Sequence, residues 1–387
     1  MDGNEAKTVS TDDECRSILV VMPQANLGGG AEIMLLHFLL AAREIRPTWR
    51  FPIFFLSPGP FVDVVRAHGF EVCTTLNVRL RKPWACLTAL RQLRAETKRF
   101  RAGTIFSWIA YGHIFGGLVA FWSGIPTVWY QIGFASGWMD WLASRIHSDR
   151  ILAVSEHVAE RQRLLGARCP VVSILPGIDL KRFCSGDQQQ VRLRLRLPLD
   201  ARIAVLVGRL QRWKGMHTAI AAMSRVIAEV PSARLIIVGG AHEMEPEYAK
   251  ELAEQVKRSG IQHAIELVGR QDNIAEWMSA ADVVIHTSRG EPFGIVAVEG
   301  MACGRPLVTG NDGGVVEAVR DGIEGVHVPY ENEHLLAVAL IRIFREPLIG
   351  IQMGQRGISR AKCFSRERYA SEICQQLDEV MANWNPC

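Results

Sequence analysis

Short apolar runs typical of β-strands alternate with amphipathic runs typical of helices along the whole chain. This alternation indicates an α/β protein, in which helices cover sheets of parallel strands. It occurs in two comparable series, and 387 residues at roughly 150 residues per domain also favour two domains. The sequence therefore predicts an α/β chain of two Rossmann-like domains that face a central cleft.

The predicted domain boundaries follow a break between the two series. A polar, turn-rich segment between Pro176 and Asp200 separates them. We predict a disordered tail over residues 1–16, a first domain over 17–183 joined by a closing helix over 365–387, and a second domain over 200–364. The predicted strands are Ser17–Met22, Phe51–Leu56, Glu71–Thr74, Ile105–Trp108, Thr127–Tyr130 and Arg150–Val154, then Ile203–Val207, Arg234–Val238, Ile265–Leu267, Val283–Thr287, Pro306–Thr309 and Gly325–Val328.

Two segments allow more than one interpretation. Val191–Leu197 alternates apolar and basic residues, which favours a strand, although a short helix is equally compatible. Ala102–Met139 contains no charged residue and resembles a membrane span in hydropathy. Its glycines separate short elements, so we favour a buried β-α-β unit of a parallel sheet.

Composition excludes several classes of protein. With 48% hydrophobic and 22% charged residues the chain is not disordered, and a net charge of +4 is too small to predict nucleic-acid binding. Nine cysteines without a Cys-x-x-Cys pair argue against a disulfide framework and a zinc site. Because the first sixteen residues also lack an apolar signal core, we expect a cytoplasmic protein.

The strongest candidate site is the segment EPFGIVAVE after the predicted strand Val283–Thr287. Glu291 lies above the carboxyl end of this strand, where open α/β sheets bind ligands. A helix beginning near Phe293 offers free N–H groups to an anion, and Gly294 permits close backbone approach. Glu299 suits the two hydroxyls of a vicinal diol. The alternative is that both glutamates only complement the helix dipole, but the strand–loop–helix context favours a site.

Two further loops begin at strand ends. Arg209 and Lys214 lie five residues apart on a glycine-bounded loop and could clamp a diphosphate, although two solvated surface cations are the alternative. Gly28–Gly30 follow the first strand and permit a tight turn with outward amides. This glycine run does not match the dinucleotide spacing G-x-G-x-x-G.

Together these stretches resemble the retaining glycosyltransferases of family 4, which have the GT-B fold. The resemblance covers nearly the whole chain, and the closing helix resembles the one that crosses back to the first domain in that fold. It rests on GGAE (Gly29–Glu32), VSEH (Val154–His157), PGIDLKRF (Pro176–Phe183), the GR…KG loop (Gly208–Gly215) and EPFGIVAVE (Glu291–Glu299).

The resemblance implies how the second domain would hold a nucleotide-diphosphate sugar. Arg209 and Lys214 would bind the diphosphate and stabilise the charge of the leaving nucleoside diphosphate. Glu299 would bind the ribose hydroxyls. The donor sugar would be held by Glu291 and by the backbone of Phe293, Gly294 and Ile295.

The resemblance also implies contacts from the first domain. Gly29 and Gly30 would touch the diphosphate or sugar from across the cleft. His113 matches the family's sugar-facing histidine, although a buried structural histidine is the alternative. The implied catalytic residues are therefore Glu291, Lys214, Arg209 and His113.

The sequence departs from the family pattern at three places, two in loops and one early in a helix. Gln131-Ile132-Gly133 replaces the common His-Gly, so any histidine contact there is lost or replaced. The glycine pair before Glu317, Gly313-Gly314, lacks the usual proline. The common Glu-Ala-Met after the second glutamate is replaced by Glu299-Gly300-Met301. A glycine early in a helix lowers helix stability by about 1 kcal/mol.

The implied activity is retaining transfer of a hexosyl unit from a UDP- or GDP-sugar to an acceptor hydroxyl, in glycan, lipopolysaccharide or glycolipid biosynthesis. The chain has no Asp-x-Asp, so we expect no metal and no cofactor besides the donor, with Arg209, Lys214 and helix dipoles neutralising the leaving group. One alternative is a GT-B enzyme of different chemistry, an epimerase or a glycan phosphorylase. Another is a catalytically silent nucleotide-sugar-binding protein.

The acceptor is expected to be a glycan or a lipid-linked sugar. The segment Arg79–Arg101 contains eight Lys and Arg residues and one acid, Glu96. Such a cluster could dock on anionic lipids and make the protein peripheral at the inner face of a membrane. A solvated helix face is the alternative.

Overall fold

The computed structural model describes residues 16–27 and 29–384, so the predicted tail lies almost wholly outside the described residues. Contacts divide the chain into two compact units. The first contains the residues up to Ala153, Arg161–Val172 and the residues from Ala370. The second contains Val154–Glu160 and Ser173–Tyr369.

A parallel sheet of seven strands, in the order β3-β2-β1-β4-β5-β6-β7, organises the first unit. Its strands are β1 (Ile18–Met22), β2 (Ile53–Phe55), β3 (Val72–Thr74), β4 (Thr104–Trp108), β5 (Thr127–Gln131), β6 (Arg150–Ala153) and β7 (Val171–Ser173). The helices that connect them are α1 (Gly30–Ile45), α2 (Phe61–Ala67), α3 (Pro83–Arg99), α4 (Ile109–Ser123), α5 (Trp138–Ala143) and α6 (Glu156–Leu164).

The uncharged stretch forms β4, α4 and β5, as the buried β-α-β interpretation predicted. Three of its glycines, Gly112, Gly116 and Gly117, lie within α4 and not between elements. A Cβ on Gly112 would lie 2.9 Å from Val21 O, and one on Gly116 would lie 2.2 Å from Ser107 Oγ. These glycines therefore bring the helix close to the sheet. Within the described residues no helix is long and apolar enough to span a bilayer.

A parallel sheet of six strands, in the order β10-β9-β8-β11-β12-β13, organises the second unit. Its strands are β8 (Arg202–Val207), β9 (Ala233–Val238), β10 (Ile265–Gly269), β11 (Val283–His286), β12 (Leu307–Gly310) and β13 (Gly325–Val328). The helices are α7 (Gln188–Arg194), α8 (Met216–Glu229), α9 (Tyr248–Arg258), α10 (Ile274–Ala280), α11 (Ile295–Ala302), α12 (Val315–Ala318), α13 (Glu333–Arg345), α14 (Pro347–Ala361) and the start of α15 (Arg366–Ala382).

Both strand orders reverse direction next to the first strand of each unit. The reversal lies between β1 and β4 in the first sheet and between β8 and β11 in the second. In open α/β sheets ligands bind at the carboxyl ends of the strands at this point. The loops after β8 and β11 are therefore the expected binding loops of the second unit.

The unit boundaries differ from the predicted ones because the linker packs on the second unit. Val191–Leu197 is mostly helical, and its basic Arg192 is buried. Arg192 donates to Ala280 O at 2.9 Å and pairs with Asp282 at 2.8 Å. Ile178 N donates to Phe364 O at 2.8 Å. The segment from Ser173 therefore groups with the second unit.

The last helix belongs to both units. α15 begins in the second unit, while its residues from Ala370 group with the first. There Asp378 pairs with Arg46 at 3.1 Å, and Arg150 donates to Gln376 Oε1 at 2.6 Å. The closing helix thus returns to the first unit, as the sequence predicted.

Candidate active site

The loops after β8 and β11 meet because these strands are neighbours in register, with Ala204 opposite Val283. Arg289 N donates to Trp213 O at 2.8 Å and joins the two loops. Gly215, with φ of 75°, directly precedes α8 and lies so close to the end of β11 that a Cβ would lie 2.7 Å from O of Thr287, the residue after the strand. Residues 77 positions apart in sequence are thereby brought into contact.

A buried ion pair lies where these loops meet. Lys214 Nζ donates to Glu291 Oε2 at 2.6 Å, and the side chains are 12% and 11% exposed. The stem of Lys214 lies against Gly208, where a Cβ would be 3.8 Å from its Cδ. The Lys214 ammonium also lies 3.9 Å from the ring centre of Trp213. The pair is thus held from both sides, and Lys214 keeps further N–H donors.

His286 contacts the same carboxylate from the end of β11. Its Nε2 lies 3.2 Å from Glu291 Oε2, and its side chain is 2% exposed. Burial alone would raise the pKa of Glu291, but the Lys214 ammonium and the His286 ring outweigh it and hold this pKa well below its usual range. Glu291 is therefore ionised at neutral pH.

The glycine pair after β12 fixes the loop that carries Glu291. Gly314 N donates to Glu291 O at 2.7 Å. A Cβ on Gly313 would lie 2.4 Å from Glu291 O, and one on Gly314 would lie 2.1 Å from Pro292 O. Although the usual proline is missing, the two glycines allow backbone to pack directly on backbone.

The residues after this loop open α11. Gly294, with φ of 91°, precedes the helix, which begins at Ile295, two residues later than predicted. Phe293 is buried and packs on Phe364, with ring centres 5.8 Å apart. Only the backbone of Phe293 remains available to a ligand. A Cβ on Gly300 would lie 3.0 Å from Leu307, so this glycine lets the helix pack closely on the sheet.

Glu299 lies on α11 and is 7% exposed. No hydrogen bond to its carboxyl group comes from the part of the chain that the structure describes. Burial raises its pKa to about 8, and the charge of Arg182 opposes this only in part. Buried polar groups are nearly always hydrogen-bonded, so this carboxyl group is suited to a partner from outside the chain.

Arg209 lies on the rim of the same loop and is exposed. Its Nη1 lies 3.2 Å from His242 Nε2, so its contact is with the loop after β9 and not with the Lys214–Glu291 pair. The two predicted diphosphate cations thus have different surroundings: Lys214 is buried and paired, while Arg209 is exposed to solvent.

The candidates in the first unit lie at the start of α1 and within α4. Gly29 precedes α1, and a Cβ there would overlap the Glu32 carboxylate at 2.0 Å; Gly30 is the first helical residue. Gly28 is outside the described residues. His113 is fully buried and stacks on Trp129, with ring centres 4.9 Å apart. Burial lowers the pKa of His113 to about 3, so the ring is neutral at pH 7, and its contact with a sugar stays a prediction.

Sequence reasoning missed His286. The segment was read as a buried strand, and a histidine at its carboxyl end was given no role. A polar residue at the last position of a buried strand beside a candidate loop is the signal that could have found it. Across residues 16–27 and 29–384, no group of three His, Cys, Asp or Glu side chains is arranged to hold a metal ion.

Two family models match the chain in succession. The one described as Glycosyltransferase Family 4 matches residues 28–182, and the one described as Glycosyl transferases group 1 matches residues 187–362. Together they span more than half of the sequence. The chain belongs to glycosyltransferase family 4. The predicted resemblance is thereby confirmed.

Curated relatives support this family assignment. A D-inositol 3-phosphate glycosyltransferase of Kribbella flavida is 33% identical over 228 residues, which are 57% of this chain and 54% of that protein. One of Thermobifida fusca is 34% identical over 231 residues, which are 57% and 52%. The chain therefore spans about half the length of the curated relatives it matches.

Solved structures show that the fold is GT-B. Anabaena HepE in complex with UDP and glucose matches with a TM-score of 0.84 and 23% identity, over 94% of this chain and 99% of that chain. The same protein in complex with UDP-glucose matches with a TM-score of 0.83. The family 4 chain thus has the two Rossmann-like domains that the sequence predicted.

Proposed function

We propose that this family 4 protein is a retaining glycosyltransferase that moves a hexosyl unit from a UDP- or GDP-sugar to an acceptor hydroxyl. The observation that carries the proposal is the Glu299 carboxyl group, buried without a described hydrogen-bond partner on the helix that follows the loop of the buried Lys214–Glu291 pair. A ribose diol supplies two donors to such a carboxylate. The diphosphate and sugar of the same donor would then extend toward Lys214 and Glu291.

The charges in the second unit suit departure of a nucleoside diphosphate. As the bond between the sugar C1 and the phosphate oxygen breaks, negative charge grows on the diphosphate. Lys214 and Arg209 are the cations that stabilise it, together with the free N–H groups of Gly294 and Ile295 at the start of α11. Because this negative charge is larger in the transition state, preorganised cations stabilise the transition state more than the ground state.

We further propose that the acceptor oxygen attacks C1 on the face that the leaving group departs from. The new C1–O bond forms as the old one breaks, and the acceptor's proton passes to the departing phosphate oxygen. Glu291 holds the donor sugar through its second carboxylate oxygen and stays ionised. Electrostatic neutralisation by side chains makes the reaction independent of a metal ion in this proposal.

The names of similar proteins support the donor class. HepE was crystallised with UDP and with UDP-glucose, which supports a nucleotide-sugar donor, while the name of the Kribbella and Thermobifida relatives, D-inositol 3-phosphate glycosyltransferase, supports glycosyl transfer without naming a donor. A panel of UDP- and GDP-sugars tests the donor by thermal shift, because a ligand at 100 times its Kd adds about 2.7 kcal/mol. Release of UDP or GDP on addition of acceptor tests transfer. Absence of both responses across the panel would refute the proposal.

A second part of the proposal concerns the partner surface of the first unit. α3 buries Ala89, Leu93 and Thr97 and leaves its basic side chains exposed, while Trp84 at its start is 80% exposed. Cations beside an exposed indole favour an anionic lipid surface, where each cation adds about 1 kcal/mol. This would place a lipid-linked acceptor near the protein.

Sedimentation with vesicles tests this surface. We expect binding to phosphatidylcholine vesicles that contain phosphatidylglycerol and none to pure phosphatidylcholine. The variant R91Q/R94Q/K98Q should lose binding. A control with charge removed from α9, K257Q/R258Q, should keep it. Equal loss in both variants would show only a net-charge effect and would refute the α3 surface.

A further inference from the structure

Among the residues that the structure describes, His286 is the one buried ionisable side chain in contact with Glu291 to which the proposed reaction gives no task. It lies at the last position of β11, and the Glu291 carboxylate lies above it after a loop of four residues. Nothing in its position requires a polar residue for folding, because the preceding strand residues Val283–Ile285 are fully buried and apolar. The contact between the His286 ring nitrogen and Glu291 therefore indicates what this histidine does.

The contact is made through one atom of the ring. His286 Nε2 lies 3.2 Å from Glu291 Oε2, the same oxygen that accepts from Lys214 Nζ. A Cβ on Gly294 would lie 3.1 Å from this Nε2, so only glycine at the start of α11 leaves room for the ring. The ring is thus enclosed between the strand and the loop, and its Nε2 lies close to the carboxylate without making a hydrogen bond to it.

We propose that His286 is a positioning residue that fixes Glu291 for the sugar, an inference that rests on the proposed function. Lys214 Nζ donates to Oε2 and the His286 ring packs against the same oxygen, so the carboxylate is held in one orientation and Oε1 is left for the ligand. Without His286, the carboxylate can turn fully onto Lys214 and use both oxygens there. Glu291 would then lose its contact with the hexosyl unit, while Lys214 would keep an N–H donor for the diphosphate.

The key variants are H286L and H286Q. Leucine fills a similar volume without a donor. Glutamine carries an N–H the same number of bonds from Cα as the imidazole Nε2. We expect H286L to lower kcat/KM for the donor sugar roughly tenfold, with UDP affinity changed less than about twofold, because UDP lacks the hexosyl unit that Glu291 holds. H286Q should recover most of the loss.

A cycle with Glu291 separates positioning from a packing defect. If His286 acts through Glu291, the double variant H286L/E291Q loses no more activity than E291Q alone. Additive losses would overturn the proposal, as would failure of H286Q to exceed H286L. H327L is the matched control, since His327 lies in β13 of the same sheet with Nε2 2.9 Å from Val319 O. It should keep the kinetics of the unmodified protein.

The same cycle in the ligand-free protein distinguishes this proposal from the proposed function. The thermal midpoints of H286L, E291Q and the double variant should be coupled if the contact holds Glu291. If the thermal midpoints are coupled but the protein turns over no UDP- or GDP-sugar, the proposed glycosyl transfer is wrong and the role of His286 in holding Glu291 is still supported. Absence of coupling would refute the role of His286 whether or not the protein transfers sugar.

Discussion

Replacing the buried carboxyl group of Glu299 by an uncharged amide should raise the stability of the protein and weaken its binding of nucleotide. Its pKa of about 8 in the folded chain compares with an ordinary value of 4.5. Below pH 4.5 the carboxyl group is protonated in both the folded and unfolded chains, and it adds no penalty. As pH rises toward 8 the unfolded chain releases this proton while the folded chain retains it, so folding is progressively disfavoured.

The size of this effect follows from the two values. Each pKa unit corresponds to about 1.4 kcal/mol, so at pH 7 the penalty is about 3 kcal/mol. Glutamine has the same shape and no charge, and Glu299→Gln removes the penalty. The free energy of unfolding should therefore rise by about 3 kcal/mol at pH 7 and hardly at all at pH 4.5. For a unit of this size, about 2–4 °C per kcal/mol gives an increase in thermal midpoint of about 6–12 °C at pH 7.

Scanning calorimetry at pH 5 and pH 7, with titration of UDP at pH 7, measures both sides of this effect. At pH 7 ribose binding must first remove the Glu299 proton, which for about one pKa unit costs about 1.4 kcal/mol. Two charge-assisted hydrogen bonds of about 1.5–3 kcal/mol each exceed this cost, so the more stable Glu299→Gln protein should bind UDP at least tenfold more weakly. Glu317→Gln is the matched control, since Glu317 accepts from the N–H groups of Glu156 and His157 at 2.9 Å. It should lower the midpoint. An equal or lower midpoint for Glu299→Gln at pH 7 would refute the reasoning.

Three further predictions concern the neighbouring loops. Lys214→Ala leaves Glu291 buried without its cation, so the free energy of unfolding should fall by about 3–5 kcal/mol. Single-turnover rates at saturating donor should fall by about 10²–10³-fold, because the leaving diphosphate loses a cation. Normal turnover with only a raised KM would show that Lys214 does not stabilise the leaving group. Activity should persist in excess EDTA, because side-chain cations are proposed to neutralise the diphosphate; loss on chelation with recovery on adding Mn²⁺ or Mg²⁺ would contradict this. Gly314→Ala places a Cβ 2.1 Å from Pro292 O and should weaken donor binding, while Gly186→Ala meets nothing within 4 Å and should not; equal affinities would contradict the backbone packing.

The fold was largely predictable because buried parallel strands give apolar runs that need no long-range information. The twelve predicted strands are all present, most with ends shifted by one or two residues, while β7 was missed since Val171–Ser173 is short and only partly buried. Val191–Leu197 was ambiguous because Arg192 occupies a buried helical position through its ion pair with Asp282. A rule that assigns every charged residue to the protein surface fails for such a residue.

The site could be predicted only in part. Glu291 and Lys214 were identified because each follows a strand at the same edge of a sheet, but their direct contact depends on the register of β8 against β11, which the sequence does not contain. The burial of Glu299 likewise arises from the close packing of α11 that Gly300 permits. Pairing and burial, which set the charge states, are tertiary properties.

The anchorage of Arg192 has a practical consequence for expressing the second unit alone. A fragment that starts at residue 200 would omit the guanidinium that occupies the Asp282 carboxylate and the Ala280 carbonyl. Those acceptors would face an open surface, and the fragment would be prone to aggregate before any ligand could be tested. A fragment from Ser173 to Tyr369 retains the anchor and the Ile178–Phe364 hydrogen bond, and it is the better starting point for titrations without the other half.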